Sequence, residues 1–354
     1  MVGRVKSHCF SAILSLSFFG TVLSAAIATE LLSTNPPTAA PKSRVVAVQD
    51  AQATEAFAAK ADVVRGMLNR AMMEYTRRPD VATAWGSLVK TQDVVGIKVY
   101  SAPGGIVGTR VAVVEAVVQG LLVAGLPAKQ IVIWDRRKVD LQRAGYEVLT
   151  ERYGVRLAGS LDAGYDDKVF YESPLLGRLL AGDLEFESPT EQLGRKSHVT
   201  KHLTGPLTKI INVSPLLNQY DAGVAGNLYS LALGSVDNTR RFEGSTDALA
   251  RAVPEIYAMK EVGDKVVLNI TDALLCQFEG GEFVRLHQAS VLNELRVSRD
   301  PVALDVLATR DLAAAREKAG FPAVSTNWFD LYQNASLLEL GISDVKKIQV
   351  DVVK

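Results

Sequence analysis

Cysteine is nearly absent from this chain: its 354 residues include two, Cys9 and Cys276. Two cysteines cannot ligate an iron–sulfur cluster or build a Cys-rich zinc site. If the first is removed with a leader, no internal disulfide can form either. Histidine is scarce as well, with four residues. An excess of one charge is also missing, since 39 Lys and Arg balance 39 Asp and Glu. With no long basic run, nucleic acid is not expected as a partner. The 27 glycines match neither GxGxxG nor the Walker pattern, so neither nucleotide fingerprint is present.

The one long apolar run stands at the start. Arg4 and Lys6 precede an apolar and small-residue stretch from Phe10 to Ala28, and Ala26-Ile27-Ala28 is an A-x-A cleavage pattern. Residues 1–28 therefore read as a signal peptide cleaved at about Ala28, with the rest periplasmic or secreted. An uncleaved anchor is the alternative, because the run approaches the roughly 20 residues that span a bilayer. Membrane contact is expected only through this segment, if it stays uncleaved. Residues 29–44, rich in Pro, Ser, Thr and Ala, read as a linker. The folded part is expected over 45–354, as a single α/β domain or as two lobes.

What the rest of the chain does have is a crossover. VVGIKVY, then SAPGGIVGT, then RVAVVEAVVQGLLVAGLPAKQ, then IVIWD gives strand, glycine loop, apolar helix, strand. That is the unit of a parallel sheet. Further short strands are expected at 155–157, 209–213, 265–270 and 295–297, with an edge strand in the tail KKIQVDVV. Helices are expected over 53–77, 141–152 and from Asp300-Pro301 to Lys318, where Asp caps and Pro suits the first turn. Residues 159–208 are poorly periodic and read as a loop-rich insertion. The fold class is α/β, a mostly parallel sheet flanked by helices. In such sheets ligands bind beyond the strand carboxyl ends.

Several residue groups could carry chemistry at that edge. Gly104, Gly105 and Gly108 open the crossover helix and could cradle an anion, or serve only as a tight turn. Lys98 lies just upstream. Asp135 and Asp272 each follow an apolar strand and could bind a cation or share acid–base work; capping or an ion pair is the other reading, with Arg136 as an obvious partner for Asp135. Glu279, Gly280 and Gly281 form a turn that could fold over the same edge. Asn218, Asp221, Asn227 and Asn238 supply a dense polar segment after the strand at 209–213. His198 and His202 are four apart and would share a helix face, as metal ligands can. His287 and Cys276 lack supporting neighbours.

In order and spacing, VGIKVYSAPGG, TRVAVVEAVVQGLLVAGLPAKQIVIWDRRKVDLQRAGY, KIINVSPLL, GVAGNLYSLALGSVDNTRRF, LNITDALLCQFEGG and VSRDPVALDVLATRD resemble the bacterial and archaeal Domain-of-Unknown-Function 362 family. The likeness is to its exported members without ferredoxin-type cysteines, over about Val94–Gly320. The matching positions are Lys98, Gly104, Gly105, Asp135, Arg136, Asp272, Glu279, Gly280, Gly281, Asp300, Pro301 and Asp305. The chain departs at Tyr100, where the family pattern has Asn. It departs at Leu217–Asp221, where a Lys-Asp-His stretch is usual. It departs again at Ala225 and Tyr229-Ser230, in place of Thr and Lys-Asn. The resemblance implies a site but no reaction. Two readings stay open: a protein binding a small anionic or metal-associated ligand with Lys98, Asp135 and Asp272 as reactive groups, or a non-catalytic binding or scaffold protein that has lost polar site residues.

Overall fold

The Val/Ile runs dictate where the sheet forms. In the computed structural model, which describes residues 42–178, 193–323 and 328–353, the chain opens with β1 (Ser43–Gln49), a small hairpin of β2 (Thr54–Glu55) and β3 (Ala58–Ala59), α1 (Ala61–Thr76) and α2 (Val81–Gly86). The crossover follows as β4 (Val95–Val99), α3 (Val111–Val123) and β5 (Ile131–Asp135). Next come α4 (Lys138–Arg143), α5 (Glu147–Tyr153), β6 (Arg156–Gly159), α6 (Ser160–Ala163), β7 (Tyr165–Arg178), β8 (Leu193–Thr200) and α7 (Lys201–Thr204). The remainder holds β9 (Lys209–Gln219), β10 (Gly223–Val224), α8 (Asn227–Ser235), α9 (Thr246–Tyr257), β11 (Val266–Gln277), β12 (Ala289–Ser298), α10 (Pro301–Lys318), α11 (Phe329–Leu337) and β13 (Ile348–Val353).

The main sheet has the order β13-β1-β12-β11-β9-β4-β5-β6, with β10 added to β9. From β11 to β6 all neighbours are parallel; β12 is antiparallel to both β11 and β1. The tail strand β13 pairs parallel with β1 at the sheet edge. The fold is thus mixed α/β with a mostly parallel sheet. Chain order reverses at the β4–β9 pair: β5 and β6 extend the sheet one way from β4, while β9 and β11 lie on its other side. Such a reversal leaves a crevice at the carboxyl ends of the two strands.

Both faces of the sheet are covered, and the period-2 pattern assigns each side chain to a layer. Ile97 pairs in register with Ile133 and Ile211. That row packs on α1 and α3 through Met67, Leu68, Val113 and Val117. The alternate residues Val132, Trp134 and Ile210 pack with Leu228 and Leu231 of α8, Leu249 and Val253 of α9, and Val302 and Val306 of α10. Each fully buried aliphatic side chain contributes roughly 1.5–3 kcal/mol.

Several expectations are corrected. The helix expected from residue 53 starts at Ala61, after the β2–β3 hairpin. The helix expected over 141–152 is two short ones, because Gly145 takes φ +89° between them. The loop-rich insertion holds, in its described part, an antiparallel pair, β7 with β8, flanked by the short helices α6 and α7. The strand expected to end before Asp272 runs on to Gln277. The linker boundary moves too, since β1 starts at Ser43. The signal peptide and most of the linker lie outside the described residues. Among the described residues no helix is long and apolar enough to cross a membrane.

Candidate functional site

At the strand reversal an open cavity of about 660 Å³ lies over the carboxyl ends of β4, β5 and β9. Tyr100 and Ala102 border it after β4, Asp135 as the last residue of β5, and Asn218, Gln219 and Tyr220 at the end of β9. Helix α8 adds Tyr229, Ser230, Leu233 and Gly234, and the turn after β11 adds Gly280, Gly281, Glu282 and Phe283. Arg136, Arg137, Asp140, Arg240 and Glu243 complete the wall. A space of this size suits a small molecule.

The floor is built on a buried cation. Lys98 is fully buried on β4. Its ammonium donates to Asp135 Oδ1 at 2.8 Å, the Val99 carbonyl at 2.6 Å and Ser230 Oγ at 3.2 Å, so its three N–H bonds are all used. Burial lowers the Lys98 pKa, and the Asp135 carboxylate opposes that shift. The other oxygen of Asp135 accepts from both the N–H and the hydroxyl of Ser101, each at 2.7 Å. Asp135 is therefore paired with Lys98, while Arg136 reaches Glu243 at 3.3 Å.

Lys98 fits because residue 234 is glycine. A Cβ there would lie 2.2 Å from Lys98 Cε and 2.8 Å from Nζ. Gly234→Ala is expected to displace the ammonium and cost about 1–3 kcal/mol, the usual range for overpacking, with loss of the Asp135 contact. A melting temperature unchanged from that of the parent protein would contradict this.

The glycine loop has another role than cradling a ligand. Its neck is closed by the Thr109 N–H on the Tyr100 carbonyl at 2.9 Å and the Tyr100 N–H on Thr109 Oγ1 at 3.0 Å. A Cβ on Gly105 would meet the Ala144 carbonyl at 2.7 Å, and one on Gly108 the Gly104 and Tyr100 carbonyls at 2.6 Å. Close internal packing therefore accounts for both glycines. Neither these two nor Gly104 lines the cavity.

Asp272 is likewise turned inward. It is fully buried within β11 and accepts from Arg110 twice, from the guanidinium at 2.7 Å and from the backbone N–H at 3.0 Å. Arg110 is the residue that caps α3. The positive end of α3, which could have attracted a ligand anion, thus holds the protein's own carboxylate.

The remaining anticipated groups divide. Asn218, Gly280 and Gly281 line the cavity. Glu279 does not: it pairs with Arg316 and accepts from the Tyr220 hydroxyl at 2.6 Å. Burial would raise the Glu279 pKa, but the Tyr220 hydroxyl and Arg316 outweigh it and hold the pKa low. Asp221 accepts from Thr246 at 3.3 Å, Asn238 donates to the Lys196 carbonyl at 3.0 Å, and neither borders the cavity. Asn227 is buried on Asp305 and Thr271. His198 lies in β8 and His202 in α7, so they share no helix face. Among the described residues no three His, Cys, Asp or Glu are grouped to hold a metal ion. The Cys276 thiol is buried, and burial pushes its pKa far above the ordinary value.

Sequence reasoning missed Tyr100, Arg137, Asp140, Tyr229, Ser230, Arg240, Glu243 and Glu282 as cavity residues. Tyr100 and Tyr229-Ser230 carried a signal, since all three stand where the resembled family has other polar residues. Tyr100 and Tyr229 meet edge to face with centroids 6.4 Å apart, and the Tyr100 hydroxyl is bound to Glu282. Burial, then Tyr229 and Glu282, push the Tyr100 pKa well up, so it stays a neutral phenol.

No protein-family model matches the chain, and no curated protein matches it. A crystal structure of a protein from Thermotoga maritima is similar at a TM-score of 0.36 and 12% identity, over 62% of this chain and 51% of that one. The chain thus spans about half the length of that protein.

Proposed function

We propose that this is an exported α/β protein, related to the Domain-of-Unknown-Function 362 family, that binds a small anionic ligand in the cavity at the strand reversal. The observation that carries the reading is the state of the charges around that cavity. Asp135 is matched by Lys98 and Glu243 by Arg136. The Glu282 carboxylate is held by the Tyr100 hydroxyl. Arg137 and Arg240 are exposed on the wall, and no ion pair holds either among the described residues, while Asp140 meets Arg143 at 3.9 Å. A guanidinium without a carboxylate is suited to a phosphate or carboxylate from outside.

The same bookkeeping favours binding over catalysis. Every N–H of Lys98 and both oxygens of Asp135 are spent inside the protein. Asp272 is spent on Arg110. None of the three stands ready as a base or nucleophile, which supports the non-catalytic alternative. Inorganic phosphate or acetate is expected to raise the melting temperature, since a ligand of the native state at 100 times its Kd adds about 2.7 kcal/mol. The double variant Arg137→Ala/Arg240→Ala should abolish that rise without lowering the melting temperature of the free protein. A rise that survives the double variant, or none with either anion, would count against the reading.

A further inference from the structure

The cavity floor presents two uncharged polar side chains, each with hydrogen-bonding capacity that the protein leaves unused. Ser230 Oγ accepts from Lys98 at 3.2 Å, so the hydroxyl hydrogen is not committed to that contact. No protein oxygen takes it among the described residues, and Ser230 borders the cavity. Asn218 borders the same cavity, is 4% exposed, and has a buried Oδ1 without a partner. Buried polar atoms in finished folds are nearly always paired, and an orphan beside a cavity calls for a partner from outside.

These two groups make different demands on a ligand. Ser230 offers a hydrogen, and Asn218 Oδ1 needs one. A carboxylate, or the doubly ionised phosphoryl group of a phosphate ester, can accept from the first but has nothing to give the second. A hydroxyl group does both. Above the floor the wall is aromatic: Tyr100 and Tyr229 lie edge to face, and Tyr220 and Phe283 stand at 58% and 74% exposure. Such rings present apolar faces to the C–H bonds of a hydroxylated ligand.

We propose that the ligand is a polyhydroxylated anion, a sugar phosphate or a sugar acid, with its anionic group at the wall arginines Arg137 and Arg240 and a hydroxyl between Ser230 and Asn218. This rests on the anion-binding reading above. Ser230 and Asn218 then set specificity, and the arginines supply charge recognition common to any anion.

The test is calorimetric titration of the purified protein, at mildly alkaline pH, with methyl phosphate, acetate, glucose 6-phosphate and gluconate. At least one of the hydroxylated anions is expected to bind about tenfold or more tightly than its bare counterpart. Tightness over methyl phosphate identifies a sugar phosphate, and tightness over acetate a sugar acid. Ser230→Ala and Asn218→Leu should each cancel the excess, and Asn218→Leu should leave bare-anion affinity unchanged. Asn218→Leu is the safer variant, because no protein hydrogen bond is recorded for that amide. Bare anions that bind as tightly as hydroxylated ones would overturn the inference alone, as would an excess that survives both substitutions. Absence of binding by all four probes would remove the anion reading and this inference with it.

Discussion

Replacing Asp272 with alanine is expected to destabilise the protein by about 3–5 kcal/mol, the usual cost of stripping one partner from a buried ion pair. Both members are almost wholly inaccessible, at 4% for the Arg110 side chain and 0% for Asp272. Alanine would leave the guanidinium charged inside the fold, with its Nε already lacking a partner. It would also free the backbone N–H of the residue that caps α3. The loss is comparable to the whole stability of many domains, which is about 5–15 kcal/mol. Urea unfolding followed by circular dichroism measures it. The double variant Arg110→Met/Asp272→Ala should recover most of the loss, because it removes the stranded charge and methionine fills most of the space of the arginine side chain. If the single variant loses less than about 1 kcal/mol, the pair behaves as an exposed one and the account of the α3 terminus fails.

That ion pair also shows why part of the fold was hard to read. The Val/Ile runs of β4, β5 and β9 and the Asp300-Pro301 start of α10 are local signals, and each element formed where they stand. Thr271-Asp272 looked like the end of a strand because the carboxylate's partner is 162 residues away. The start of α1 failed for a different reason. Ala56 and Phe57 adopt φ of 49° and 68° in the turn between β2 and β3, a conformation that neither residue type announces. The β7–β8 hairpin depends on Arg241, which donates to the Tyr171 carbonyl and to the hydroxyls of Ser173 and Ser197. No periodicity in the hairpin itself discloses that support.

The site was legible as an edge and not as a set of side chains. Strand order could not be read from the chain, so the reversal between β4 and β9 that opens the cavity was not located. Lys98 and Asp135 do come together, 2.8 Å apart, because they occupy neighbouring parallel strands near their carboxyl ends. Asp272 lies in the same sheet yet faces Arg110. A residue on a strand is assigned to an edge from sequence, whereas its face depends on strand length, and β11 is longer than its apolar run. The resemblance pointed to a Lys-Asp-His stretch missing from Leu217–Asp221. Asn218 and Tyr220 of that stretch are nevertheless cavity residues.

Asp305 is expected to make stability depend on pH. It lies in α10, 1% exposed, and accepts from the backbone N–H groups of Asn227 and Leu228 at 2.7 and 2.9 Å and from the Asn227 amide at 3.0 Å. It thereby caps α8, the helix that brings Tyr229 and Ser230 to the cavity. Burial raises its pKa to about 7 against the pull of those three donors, with a smaller upward push from Asp300. A folded-state pKa above the unfolded value of 3.8 means that folding favours the protonated acid. The contribution is then complete below about pH 4 and is lost as pH rises through about 7. At 1.36 kcal/mol per unit, the wild-type protein should gain on the order of 2–3 kcal/mol from this group between pH 8 and pH 5. Asp305→Asn does not titrate, so its deficit relative to wild type should widen by that amount over the same interval. Asp305→Ala should cost about 2–4 kcal/mol at pH 5, since it strands two buried N–H groups at the start of α8. Urea titrations of the three proteins at pH 5, 6.5 and 8 decide the matter. A constant gap between wild type and Asp305→Asn would mean that the donors at the α8 terminus win over burial and keep the carboxylate ionised throughout.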